Sequence, residues 1–145
     1  MQDFLKAVGT LQIVLTDEFG NVKEKRDLKN IVTSVGKAWI AAMMAATPPA
    51  LMSNMAIGTG TTAADPSQTT LVTETARVVL SSTVVNSNTV TYTATFGAGQ
   101  GTGAVTEAGI FNAASAGTML NRTTFSAINK GSSDTISITW VVTLQ

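Results

Sequence analysis

Thr89-Val-Thr-Tyr-Thr-Ala-Thr-Phe96 alternates without a break. Val90, Tyr92, Ala94 and Phe96 fall on one side, and Thr89, Thr91, Thr93 and Thr95 on the other. A period of two places alternate residues on opposite faces only in a strand. The same pattern returns near the end of the sequence. There Ile136, Ile138, Trp140, Val142 and Leu144 face away from Ser137, Thr139, Val141 and Thr143. Working outward from these two segments, Leu11, Ile13 and Leu15 alternate with polar or smaller neighbours. Asp17-Glu18-Phe19-Gly20-Asn21 supplies turn chemistry, and Val22 to Leu28 can run back as a charged partner strand. Shorter strands are expected at 56–57, at about 75–85, at 105–111 and at 118–128. Many short strands separated by Gly-, Asp- and Asn-containing turns argue a mainly β fold. The expectation is an antiparallel β-sandwich or barrel, written most simply as a β-sandwich with one packed α-helix and an N-terminal β-hairpin arm.

The helix is expected at 31–46. Ile31, Val35, Ala38, Trp39, Ala42, Met43 and Ala46 recur every three or four residues and form one apolar stripe. Asn30 is the expected N-cap. Pro48 and Pro49 end the pattern, since neither can donate a backbone hydrogen bond. A ligand pocket around Trp39, Met43 and Met44 is conceivable, but a helix packed on a sheet explains the same residues. The chain thus divides into a charged hairpin arm at 1–29, a helix and Pro-containing connection at 30–54, and a β-sandwich domain at 55–145.

Charge is unevenly placed. Eleven of the eighteen Asp, Glu, Lys and Arg residues lie within the first 37 positions. The other 108 positions hold Asp65, Glu74, Arg77, Glu107, Arg122, Lys130 and Asp134. A charged fraction of 12% is about half the ~25% usual in globular domains. Threonine keeps strand propensity while offering a hydroxyl to water or to a neighbouring subunit. Because interface centres are depleted in charge, the composition points to a protein that lives in an assembly. Net charge is zero, so no global attraction to nucleic acid or an anionic membrane is expected. The most apolar run, 38–46, is far shorter than the roughly 20 residues of a membrane span. Met1-Gln-Asp-Phe-Leu-Lys6 lacks the basic-then-apolar pattern of a secretory signal, so no export is expected.

The chemistry available is narrow. Without Cys there is no disulfide or thiolate, and without His the commonest general base and metal ligand are missing. Gly58-Thr-Gly-Thr-Thr62 follows a strand but lacks the GxxxxGK[ST] frame of a phosphate loop. A tight turn explains it. Asp65, Lys130 and Asp134 sit in turn sequences. Glu74, Arg77, Glu107 and Arg122 are isolated charges in apolar surroundings, and are expected to form structural ion pairs that fix loops. Lys23, Lys25, Arg26 and Lys29 are interleaved with Glu24 and Asp27, which argues against a nucleic-acid patch and leaves partner docking as their expected role. Asn121-Arg122-Thr123 matches a glycosylation acceptor by chance. No catalytic residue, metal or cofactor is expected, and the chain is read as a non-enzyme.

Four blocks carry a family likeness: Met55-Ala-Ile-Gly-Thr-Gly-Thr-Thr-Ala-Ala64, Leu71-Val-Thr-Glu-Thr-Ala-Arg77, Val105-Thr-Glu-Ala-Gly-Ile-Phe111 and Gly117-Thr-Met-Leu-Asn-Arg122. In this order they resemble small structural proteins of tailed bacteriophages, of the tail-fibre or tail-collar-like kind, over roughly residues 30–145. The resemblance implies a virion component, made in the host cytoplasm, with a β-rich domain, no catalysis and self-association, often as trimers. Longer fibre proteins continue into a shaft and a receptor-binding tip. With Gln145 directly after the last strand, direct host recognition is not expected. The first reading is therefore a capsid decoration or cement protein bridging capsomers, docked by its N-terminal arm onto the major capsid protein. A tail-fibre or fibre-adaptor subunit bound to tail proteins is the alternative. A glycan-binding β-domain stands third, because Tyr92, Phe96, Phe125 and Trp140 lie on apolar strand faces.

Overall fold

The computed structural model describes residues 5–145. In chain order the elements are β1 (Ala7–Thr16), β2 (Val22–Val32), α1 (Ser34–Ala42), β3 (Asn54–Gly58), β4 (Glu74–Val79), β5 (Ser82–Asn86), β6 (Thr89–Phe96), β7 (Gly103–Phe111), β8 (Met119–Lys130) and β9 (Thr135–Leu144). Every pairing is antiparallel, in the spatial order β4-β3-β7-β8-β2-β1-β9-β6-β5. The mainly antiparallel β fold is therefore as expected, but it is one continuous sheet, where the alternation alone allowed sandwich or barrel. Laid flat, nine strands would span roughly 38 Å. The two edge strands, β4 and β5, are joined by Leu80 and Ser81 alone, a link that reaches about 11 Å at most. The sheet must curl until its edges approach. Leu80 N–H bonds Ser53 O, while Ser81 N–H bonds Thr93 O, so the link touches both ends of the sheet. The result is a half-barrel. The single strand expected at about 75–85 is thus two strands that serve opposite edges.

Inside the curl lie the residues that the alternation placed together. Across β6, β9 and β1 the rows Tyr92–Trp140–Leu11, Ala94–Ile138–Ile13 and Phe96–Ile136–Leu15 stand in register. Met55, Ile57, Val105, Ala108, Ile110, Leu120 and Ile128 close the core from the other half. Outside, the row Val84–Thr91–Val141–Thr10–Lys29 crosses five strands. The Thr-rich face is the convex surface.

The N-terminal hairpin is not an arm. β1 lies between β2 and β9, paired with β9 along its whole length from Ala7↔Leu144 to Thr16↔Thr135. Leu11, Ile13 and Leu15 are buried in the common core. No structural boundary falls at residue 30, because β2 runs unbroken from Val22 to Val32 beside a strand central to the fold, with Lys23, Lys25, Asp27 and Lys29 exposed and Glu24 and Arg26 half-buried. Residues 1–4 of the expected arm lie outside the described residues.

The helix is shorter than its stripe. β2 continues through Ile31 and Val32, a β-branched run that favours strand. Thr33, not Asn30, is the N-cap: its Oγ1 accepts from Gly36 N–H at 3.0 Å and donates to Met119 O at 2.7 Å. Asn30 instead faces Gly9 across β1, where its Oδ1 accepts the Trp140 indole N–H at 2.6 Å. The helix ends at Ala42, and Ala38 and Ala46 are exposed. Gly36 rests on β8 so closely that a Cβ would meet Leu120 O at 2.1 Å.

Candidate functional site

A fully buried ion pair lies on the outer face of β7 and β8. Glu107 projects outward from β7, and Arg122 projects from β8 opposite Gly109, which leaves room for its side chain. Both side chains are fully buried, and Arg122 Nη2 lies 2.7 Å from Glu107 Oε2, with Nε at 3.1 Å. Burial on this outer face is supplied by the loop 59–73. Glu107 Oε1 accepts from Gly60 N–H (3.0 Å) and Thr73 N–H (2.7 Å), and Oε2 accepts from Val72 N–H (2.9 Å). Arg122 Nη1 donates to Thr62 O and Gln68 Oε1, both at 2.9 Å. The loop also lays Leu71 over a small apolar cluster of Ala56, Phe111 and Met119.

The glycines of Gly58-Thr-Gly-Thr-Thr62 now have a physical reason. A Cβ on Gly60 would stand 2.6 Å from Glu107 Oε1, and one on Gly58 would stand 2.2 Å from Thr73 O. The loop brings backbone N–H groups onto an anion, as a phosphate loop does, but the anion is the chain's own carboxylate. Burial by itself pushes the Glu107 carboxyl up. The N–H groups of Thr73 and Val72, then Arg122 and Gly60, outweigh it and hold the carboxyl below its ordinary value of 4.5. Hydrogen bonds occupy both oxygens. This arrangement holds a loop; it does not present a reactive group.

Arg77 does the same for a second loop. It bonds Glu74 (Nη2 at 2.6 Å, Nε at 3.0 Å), and Nη1 donates to Ala113 O and Ala116 O at 3.0 and 2.8 Å. Its guanidinium lies 3.8 Å over the Phe111 ring, a cation–π contact. The four isolated charges thus stand as two separate pairs, each tying one connection to the sheet. Lys130 and Asp134, read as turn residues, are also engaged. Buried Lys130 donates to Gly97 O at 2.8 Å, and Asp134 accepts from Gly131 N–H and from Lys23.

Of the four residues expected to dock a partner, two are committed within the molecule. Lys23 pairs with Asp134 at 2.8 Å. Arg26 bonds Glu24 and donates to Ser126 O, Ser126 Oγ and Ala127 O on β8. β2 and β8 are paired only at Ile31↔Arg122 and Val32↔Asn121, so beyond these the strands diverge and Arg26 spans the gap. Lys25 and Lys29 remain exposed on the convex face.

The pocket conceivable from Trp39 and Met43 is present beside the packed helix. Between α1 and β5 the half-barrel is open, leaving a cleft of about 290 Å³ lined by Trp39, Met43, Leu51, Val85, Tyr92 and Leu144 among others. Trp39 and Met43 are half-buried along this cleft, while Met44 points to solvent. Val84 and Val85 resemble ordinary core residues in the sequence, but Val84 lies on the convex face and Val85 on the open cleft.

Among the described residues no cluster of acidic side chains could hold a metal ion, and no helix is long and apolar enough to cross a membrane. No curated protein and no solved structure matches the chain. The match to a protein family is to the phage tail-collar fibre protein, N-terminal, over residues 25–143. It runs from within β2 through α1 and β3 to β8 into β9, including both arginine-tied loops and leaving out β1. The match favours the tail-fibre reading, and the capsid-decoration reading finds no support in it. By this match, the chain belongs to the phage tail-collar fibre family, as a virion protein of the tail-fibre kind.

Proposed function

We propose that the chain is a non-catalytic structural module of a phage tail fibre, working at the end of the fibre that meets the tail. The observation that carries this reading is the family match, made to the N-terminal part of tail-collar fibre proteins over residues 25–143. The architecture supports it. Of the seven charges beyond residue 37, Glu74, Arg77, Glu107, Arg122, Lys130 and Asp134 are all bonded within the fold. They lock connections onto the sheet, and the convex surface over β1, β9, β6 and β5 is one of Thr and Val without charge, the exposed Lys25, Asp27 and Lys29 being confined to β2. Such a surface can be covered without the desolvation cost of bare ions. Other tail proteins are its partners, and copies of the chain associate with one another, as trimers.

Mechanically, the module is a rigid coupling. Force applied along β1 or β9 loads a continuous antiparallel ladder, and the two loop clamps keep the covering segments from peeling away. Immunogold labelling of intact virions tests the location. Label on the tail or its fibres is expected, and label distributed over the capsid would overturn the proposal.

A further inference from the structure

We infer that the cleft between α1 and β5 takes an extended, uncharged segment of another tail protein, which adds a strand to the β5 edge. This rests on the tail-fibre reading above and names how the partner is held. Two observations converge on the same place. First, β5 ends the sheet: it pairs with β6 alone, and all five of its residues are exposed. An edge strand offers a row of unpaired N–H and C=O groups, which proteins usually blunt with charge, proline or a bulge. Ser82-Thr-Val-Val-Asn86 has no charge, no proline and an unbroken register with β6; only its shortness protects it.

Second, the edge stands beside an apolar slot. Val85, 71% exposed, and Leu51, 67% exposed, form its lips, and Trp39, Met43 and Val90 lie deeper. None of the residues lining this cleft is charged. A strand added to β5 would gain main-chain hydrogen bonds, while every second side chain entered the slot. Main-chain bonds then supply affinity and the slot supplies specificity, as in other cases of strand addition. The chemistry of the occupant follows: it is extended, apolar at alternate positions, and free of charge where it crosses the cleft.

A second copy of this chain fits less well. The inward side chains of its β5, Thr83 and Val85, already line its own cleft. Such a copy could offer hydrogen bonds but could not fill this slot. A free segment can do both.

The test uses the full chain, and tails purified from phage that lack it as the binding probe. V85K and L51D place a charge at exposed lips of the cleft, and F19K places one at the exposed β1–β2 turn, beside the end of β9 opposite the cleft's Leu144. Circular dichroism and thermal melting check that each variant folds like the parent. Burying an unpaired charge in an apolar slot predicts that V85K and L51D lose at least about tenfold in affinity. F19K binds as the parent does, and bound parent protein shows slowed amide exchange in β5. If the parent binds and both lip variants bind equally well, the cleft is not the site and this inference fails while the tail reading stands. If the parent does not bind such tails at all, the tail reading fails and the inference falls with it.

Discussion

At the scale of single residues, charge in this protein acts as fastening. Glu107 is buried with Arg122 and three backbone N–H groups, so removing its charge leaves a buried guanidinium without its counter-ion. Breaking such a pair from one side costs about 3–5 kcal/mol. We expect E107Q to fold with a loosened loop, read as faster amide exchange at Gly60, Val72 and Thr73. The pH dependence has a definite sign. The folded carboxyl is held below its ordinary value of 4.5. Its contribution is therefore complete above that value and is lost as the pH falls through the lower folded one. Parent protein should show an acid-induced rise in exchange at these amides, and E107Q should lack it. The sequence announced the fastening only in part. Isolated charges in apolar surroundings imply pairing, but the partner of Glu107 also includes the backbone of a loop more than thirty residues earlier. The N–H groups carry no side-chain signature; only the glycines that permit their approach do.

At the scale of elements, strands were legible and their neighbours were not. The alternation at 89–96 and 136–144 depends on one residue and the next, so it survives in any architecture. Where a helix begins depends on competition. Ile31 fits both the helical stripe and the strand, and pairing with Arg122 on β8 decides for the strand. Thr33 then caps the helix while bonding β8, a double role that local spacing does not reveal. The N-terminal hairpin shows the same limit, since its charges suggested a detached arm while its inward residues belong to the core. Leu11, Ile13 and Leu15 are each no more than 3% exposed. Losing a buried side chain of this size costs about 2–5 kcal/mol, against a total stability of about 5–15 kcal/mol. A protein comprising residues 30–145 should therefore fail to fold. A cooperative thermal transition with native near-ultraviolet dichroism in that truncation would contradict the topology.

For the whole molecule, the sheet order explains how a chain so poor in charge can be stable and still leave a surface open to partners. Curling nine strands until β4 and β5 approach buries most of one face, leaving it open only beside β5. It leaves a convex Thr- and Val-rich face and an unclosed seam at β5. This topology was hidden from the sequence because no local pattern says that β1 will lie between β2 and β9, or that two adjacent strands will occupy opposite edges. The composition did carry the broader message of a protein made for an assembly, and the four quoted blocks carried the phage likeness. Location on the particle is what separates a fibre module from a capsid protein, and copy number reports location. Quantitative mass spectrometry of purified virions against the major capsid protein tests the central claim most directly. The account predicts a small number of copies in keeping with the symmetry of a tail; copies on the scale of the capsid lattice would contradict it.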